Sequence, residues 1–342
     1  MPEPANSTPL AAVVIPTHNR CPLLQQSVAS VLAQTIADWE LVVVDDASTD
    51  STWEWLQQLE HPRVAVQHLE ESTGGQGARN LGLAAVTAPY VLFLDDDDLL
   101  MRTALEEMTS WLDKARGAVA AVGGQRDIDD AGNSKRFPQP WIPLRLSPWR
   151  ELLFAWNATP GRVLVKTDTL RSVGGWREGL TSGQDRELWL RLALEGDFLF
   201  RPTIVMSKRA HGQGQRPGWR EIRDGVLDEA VAALPPSARP AGERALRSRR
   251  FNEEADELYL AGRSLAAARG YAAAIKALPR VAWSPLTAPF VTKALLKSLV
   301  GAVVGRRVFL AVRAVRWRLR EALSRAPTKR PTPESDQDNT AR

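Results

Sequence analysis

Only one cysteine, Cys21, occurs in 342 residues. That excludes an internal disulfide framework and a thiolate zinc site, and it suits a reducing cytosol. Histidine is nearly as scarce. His18, His61, His68 and His211 show no close ligand spacing, so zinc is not expected. Long apolar runs are also missing: no stretch reaches the ~18–20 uncharged residues of a membrane span. The nearest, residues 281–305, is interrupted by Lys293 and Lys297. The N-terminus, Met-Pro-Glu-Pro-Ala-Asn, has neither a basic start nor an apolar core, so no signal peptide is visible and a cytoplasmic location is expected.

Hydrophobic residues at 44% and charged residues at 25% are the proportions of a globular chain with a sizeable core. The length allows one large domain with an appendage, or two modest ones. The net charge of +4 hides an asymmetry. Residues 293–330 carry eleven basic side chains against one acid, Glu321, a local +10 that leaves −6 for the rest. Within that segment Arg313, Arg316 and Arg320 share one helical stripe, while Val308, Val312, Val315 and Leu319 form another, with Trp317 between. Such a helix can lie on an anionic membrane surface, peripheral to the inner face of the cell membrane. Packing on the body of the protein with a solvated arginine face is the alternative. Nucleic acid is not expected as a partner, because no aromatics are arranged there for base stacking.

The first half alternates strands and helices. Continuous apolar runs at 11–15, 41–44, 64–69, 90–94 and 118–122 read as strands. Amphipathic segments beginning near Pro22, carrying Trp53, Leu56 and Leu59, and spanning 76–85 and 103–114 read as the helices between them. This pattern predicts an α/β protein: a mostly parallel sheet covered by helices on both faces, with ligands at the carboxyl ends of the strands. From Gly123 to Pro160 four prolines interleave with Trp141, Trp149 and Trp156, which reads as an irregular excursion with a hairpin near 131–133. Residues 162–165 read as a further strand, 168–173 and 184–194 as helices, and 198–200 and 204–207 as two short strands. Beyond about Gly218 the chain is helical, with a helical hairpin at 255–278. The expected organisation is a tail at 1–9, a catalytic domain at 10–215, a helical C-terminal region at 216–325, and a disordered tail at 326–342.

The most informative feature is Asp95-Asp96-Asp97-Asp98, delivered by the apolar strand before it. Several carboxylates at one sheet edge repel one another unless a hard cation or cationic side chains neutralise them. Asp95 and Asp97, at i and i+2, can converge on one ion. An acidic loop without an ion is the alternative. The other strand ends supply Pro16-Thr17-His18-Asn19-Arg20, then Asp45-Asp46-Ala47-Ser48-Thr49-Asp50, then Gly74-Gly-Gln-Gly-Ala-Arg79-Asn80. One aspartate can accept from uracil N3–H and another can hold a ribose hydroxyl. His18 can stack on a base, and Arg20 and Arg79 can meet phosphates or brace the aspartates.

These strings, with Val173-Gly-Gly-Trp-Arg-Glu178 and Gln184-Asp-Arg-Glu-Leu-Trp-Leu-Arg-Leu192, resemble the family 2 glycosyltransferases and their GT-A fold over roughly residues 10–215. The resemblance implies that Pro16, Thr17, His18, Asn19, Arg20 and Asp46 contact the uridine, with Asp45 supporting that loop. Arg79 lies near the base or phosphates, and Asp96 faces the ribose or donor sugar. The acidic run corresponds to the DXD motif, binding Mn2+ or Mg2+ through Asp95 and Asp97, with His211 near the metal or diphosphate. Trp176 and Glu178 belong to the acceptor loop. Asp185 matches the catalytic base, with Gln184 standing where the family usually has Glu. The activity implied is inverting transfer of one sugar from a nucleotide-sugar, UDP-linked, to a hydroxyl of a glycan or lipid-linked acceptor. The alternative function is a non-catalytic nucleotide- and cation-binding module. Each residue also has a plainer reading: Asp185 as the acid of a helix N-terminus, Trp176 as a core aromatic, His211 as a loop histidine.

Overall fold

The computed structural model describes residues 8–129, 134–136, 144–154, 157–209 and 218–279, with short stretches between 284 and 299. Its strands are β1 (Ala11–Thr17), β2 (Trp39–Asp45), β3 (Val64–His68), β4 (Tyr90–Phe93), β5 (Leu99–Leu100), β6 (Ala118–Ile128), β7 (Ser134–Arg136), β8 (Leu144–Leu146), β9 (Val163–Lys166) and β10 (Asp197–Arg209). The helices are α1 (Cys21–Leu32), α2 (Thr52–Gln57), α3 (Gly74–Ala85), α4 (Ala104–Asp113), α5 (Trp149–Phe154), α6 (Thr167–Ser172), α7 (Gln184–Glu195), α8 (Trp219–Ala233), α9 (Arg239–Leu260) and α10 (Ser264–Ala277).

The sheet runs β3-β2-β1-β4-β9-β6-β10-β5. β1 pairs in parallel with both β2 and β4, and β2 with β3. The chain therefore winds outward from β1 to β3 and returns to β4 on β1's other side. That reversal opens a crevice at the carboxyl ends of β1 and β4, where a doubly wound sheet binds ligands. β9 enters antiparallel between β4 and β6, and β6 and β10 are parallel again. Although β1 is apolar throughout, its side chains still alternate. Ala12 and Val14 enter one core with α3 and α7, while Ala11, Val13 and Ile15 enter the opposite core with α1 and α4. Gly82 lets α3 lie flat on the sheet, since a Cβ there would stand 2.4 Å from Val14 Cγ1.

Three readings of the sequence need revision. The expected break at Gly123 does not end β6, which continues to Ile128. A Cβ at Gly123 would meet Val205 at 2.4 Å, so the glycine serves close strand approach rather than a turn. The two short strands at 198–200 and 204–207 are one strand, β10, whose register against β6 shifts between Phe200 and Ile204. The helical hairpin is present but its first arm starts at Arg239, and its arms lie close where Gly270 faces Ala255, since a Cβ at Gly270 would stand 2.8 Å from Ala255 Cβ. The ladder of the expected hairpin near 131–133 is present as β6 against β7, while residues 130–133 themselves lie outside the described residues.

Among the described residues no helix is long and apolar enough to cross a membrane. The arginine stripe at 313–320, the tail at 326–342, Trp141, Trp156 and His211 lie outside the described residues.

Candidate active site at the carboxyl edge of the sheet

The loops after β1 and β2 lock to each other. Asn19 sits at φ +54 and Ala47 at φ +59, a left-handed backbone that non-glycine residues adopt at a cost and that clusters at functional sites. Asn19 Oδ1 accepts from the backbone N–H groups of Thr49 (2.7 Å) and Asp50 (3.1 Å), and Asn19 N–H donates to Ser48 Oγ at 2.8 Å. His18 is exposed, its Nδ1 2.6 Å from the Asp46 carbonyl. Pro16 and Thr17 are buried at the end of β1, in register with Val44 and Asp45.

The aspartate pair after β2 divides its work. Asp45 is fully buried and sits 2.8 Å from His68 Nδ1, whose ring stacks on Trp53 at 4.6 Å. Asp46 faces the start of α3. Its carboxylate accepts from Ser72 Oγ (2.7 Å), Thr73 N–H (2.7 Å), Thr73 Oγ1 (3.3 Å) and Gly74 N–H (3.0 Å). Asp46, expected to contact uridine, uses both carboxylate oxygens on the loop that opens α3. Asp46→Ala is expected to leave the Thr73 and Gly74 N–H groups without their acceptor, at a cost of about 1–3 kcal/mol. The urea midpoint should fall, and Asp46→Asn, which keeps one acceptor oxygen, should fall less.

The acidic run divides too. Asp96 turns inward, 6% exposed, accepting from Thr17 Oγ1 at 2.8 Å and from Arg20 at 3.0 Å. Burial raises its pKa. The same Arg20 nitrogen reaches Asp97 at 2.7 Å, and Arg79 reaches Asp95 at 2.6 Å. Ser27 on α1 ties down the backbone carbonyls of Asp96 (2.9 Å) and Asp98 (2.7 Å). Cationic side chains thus already neutralise part of this edge.

Asp95, Asp97 and Asp98 can each offer an oxygen within 4.8 Å of the others. Asp98 accepts the Arg209 N–H at 3.0 Å through one oxygen, and its other oxygen is buried without a hydrogen-bond partner. Burial, then repulsion from Asp95, raises its pKa to about 8 despite Lys208. A purely structural acid would seldom leave a buried oxygen orphaned. An all-carboxylate donor set with that oxygen open fits a hard divalent cation of the Mg2+ or Mn2+ kind. The triad differs from the expected set by including Asp98, which sequence spacing did not single out because i and i+3 are not on one side of a strand. The chain turns after Asp95, with the Asp98 N–H donating to the Asp95 carbonyl at 3.0 Å.

Asp185 occupies the first turn of α7, after Gly183 at φ +79. Burial raises its pKa to about 6; among nearby charges Arg79 opposes the rise and Asp95 adds to it. The base candidate is therefore within electrostatic reach of Asp95 at the acidic tip and of Arg79, which pairs with Asp95 at 2.6 Å.

Trp176 is not an open platform. It is 2% exposed, edge-on to Phe93 (5.2 Å) and Trp189 (6.1 Å), with the Arg79 guanidinium 4.8 Å from its ring centre. Its place in the core follows from its neighbours, and its effect on the site is to back Arg79. Asn80 grips the loop around it, accepting the Trp176 N–H and donating to the Trp176 carbonyl, both at 2.8 Å, and to exposed Glu178 at 3.0 Å. Arg191 donates to the Gly175 carbonyl at 2.8 Å from the other side. Asn80, Arg191, Lys208 and Arg209 were not picked out as site residues. Asn80 and Arg191 stood inside the strings that carried the resemblance, which was the available signal.

Residues 12–170 match the model described as glycosyl transferase family 2. The match covers a little under half of the chain and agrees with the six strings. TuaG of Bacillus subtilis, named for teichuronic acid biosynthesis, is 38% identical over 120 residues, covering 34% of this chain and 48% of its own. WfgD of Escherichia coli, named as a UDP-Glc:alpha-D-GlcNAc-diphosphoundecaprenol beta-1,3-glucosyltransferase, is 34% identical over 103 residues, covering 30% and 41%. The chain spans about half or less of the length of these relatives. The crystal structure of S. aureus TarS 1-349 in complex with UDP-GlcNAc superposes with a TM-score of 0.59 at 16% identity, covering 89% of this chain and 92% of that one, a likeness of fold.

Proposed function

We propose that this chain is an inverting, metal-dependent glycosyltransferase that moves one sugar from a UDP-sugar to a hydroxyl of a glycan or lipid-linked acceptor. Residues 10–215 would be the catalytic unit and 216–325 its helical adjunct. The observation that carries the reading is Asp185, a partly buried carboxylate with a pKa near 6, within electrostatic reach of Asp95, one of three clustered aspartates. A cation sensor has no use for a base there.

Asp185 would take the proton of the acceptor hydroxyl as its oxygen attacks the anomeric carbon. The bond from that carbon to the diphosphate oxygen breaks, the configuration inverts, and the nucleoside diphosphate leaves with the bonding pair. Asp95, Asp97 and Asp98 would hold Mn2+ or Mg2+, which supplies Lewis-acid stabilisation of the departing diphosphate. Arg79, backed by Trp176, orients between metal carboxylate and base. Asn19, Ser48 and the loop capped by Asp46 would shape the nucleoside pocket, with exposed His18 at its lip.

The decisive measurement pairs a donor screen with a pH profile. UDP-sugars should raise the melting temperature only with Mn2+ or Mg2+ present, by mass action. Because the base acts ionised, kcat should climb about tenfold per pH unit below the Asp185 pKa of about 6 and level off above it. A flat profile between pH 5 and 7 would remove Asp185 from the mechanism.

Peripheral contact with anionic membrane through residues 293–330 is part of the same reading and rests on their charge pattern. The full chain should sediment with vesicles containing an anionic phospholipid, lose that binding as salt rises, and ignore zwitterionic vesicles. Equal binding to both vesicle types would refute an electrostatic contact.

A further inference from the structure

One buried charge has no part in this chemistry. The short 3-10 turn Pro160–Arg162 leads into β9 and packs against β4, β6 and β10. β9 runs antiparallel to β4 with Leu164 opposite Leu92, so the start of β9 lies beside the carboxyl end of β4. A Cβ at Gly161 would stand 3.0 Å from Leu94 Cδ1, and Leu94 directly precedes the acidic tip. Arg162 therefore stands at the same sheet edge as Asp95 to Asp98. The turn is held in place: the Arg162 N–H donates to the Thr159 carbonyl at 3.3 Å, and Thr159 Oγ1 donates to Gln125 Oε1 at 2.6 Å.

The Arg162 side chain has no counter-charge among the described residues. It is 4% exposed, and its buried Nε has no hydrogen-bond partner. Arg20, by contrast, is matched by Asp96 and Asp97, and Arg79 by Asp95. Burial alone pulls the Arg162 pKa down to about 10, with no carboxylate near enough to hold it up. A cation buried without an anion is costly, and an apolar side chain of similar length would fill the place without that cost. A bound carboxylate would give the guanidinium fork a bidentate partner away from bulk water. The carboxylates of the metal triad do not reach Arg162, so the group it serves stands off from a metal-held diphosphate. On a nucleotide-sugar, the part next along from the diphosphate is the sugar ring.

We propose that Arg162 selects the donor by pairing with the carboxylate of a nucleotide-linked uronic acid. This rests on the glycosyl-transfer reading and narrows the sugar that is moved to one carrying a carboxylate.

The test is calorimetric and uses the full chain with Mg2+. UDP is titrated first, then UDP-glucose against UDP-glucuronic acid, which share a ring and differ only at C6. UDP-galactose against UDP-galacturonic acid covers the other configuration at C4. In at least one pair the acid should bind about 10–100-fold tighter than its neutral counterpart, the range for hydrogen bonds to a charged group. Arg162→Met should erase that preference and leave UDP affinity within about twofold. Arg162→Lys should keep part of it. Without ligand, Arg162→Met should melt higher than wild type, because an unmatched buried charge is gone. A purely structural arginine predicts a lower melting temperature in Arg162→Met with the acid-to-neutral ratio unchanged. That outcome, or a wild type with no preference in either pair, overturns the assignment. The first titration separates the two readings: absence of UDP binding strikes the donor site itself, whereas UDP bound without a preference strikes Arg162 alone.

Discussion

Asp185→Asn should abolish turnover and make the protein more stable. Loss of general-base help lowers kcat by roughly 10²–10⁴. The stability change has a definite sign. Folding raises the Asp185 pKa from 3.8 to about 6, so the native state holds this proton more tightly than the unfolded chain does. Its favourable contribution is complete below pH 3.8 and is lost as pH rises through about 6. At pH 7 an ionised Asp185 therefore weighs against the fold by on the order of 2–3 kcal/mol, with the lower end favoured because the side chain keeps some contact with water. Asparagine removes that burden and keeps the shape, so the melting temperature at pH 7 should rise by several degrees. At pH 4 the two proteins should melt nearly together. A variant that is both inactive and less stable at pH 7 would point to a structural helix-terminal acid instead. UDP binding in the presence of Mn2+ should be unchanged, which separates the base from the donor site.

The second large effect concerns the acidic tip. Asp97→Ala removes one corner of the Asp95–Asp97–Asp98 triad and also one of the two carboxylates bridged by Arg20. At a ligand concentration 100 times Kd, bound nucleotide and metal stabilise the wild type by about 2.7 kcal/mol. That increment should vanish in Asp97→Ala and, reversibly, in wild type treated with EDTA. In the absence of ligand the variant should differ little from wild type, since Arg20 keeps its contact with Asp96 and half-exposed ion pairs contribute about 0–1 kcal/mol. A full metal-dependent shift in Asp97→Ala would mean that the cation sits elsewhere.

Much of this architecture was readable from local pattern. The runs at 11–15, 41–44 and 90–94 became β1, β2 and β4 because a strand buried on both faces must be apolar without interruption, while 64–69 became the half-buried edge strand β3. Their polar punctuation, at Thr17–Arg20, Asp45–Asp46 and Asp95–Asp98, had to fall at one edge once those strands were parallel. Asp185 could be found because it opens a strongly patterned helix inside a familiar string. The roles within that cluster were less legible. Asp46 reads as a ligand contact in the sequence, and only the approach of residues 72–74, 26 to 28 positions away, shows that it also holds the start of α3. Trp176 reads as platform or core until Phe93 and Trp189 close around it. Asp98 joins the triad only because the chain turns after β4 and Arg209 arrives from 111 positions downstream.

By itself, the order of residues determined the strands, the helices, the single edge where chemistry collects and the residue types gathered there. Those follow from periodicity and from the need to bury apolar faces, which act over a few residues at a time. Tertiary structure alone decided which carboxylates face one another and which are already matched by arginine. Charge and hydrogen-bond energies depend on separation in space and on water exclusion, and both are set only when distant segments pack.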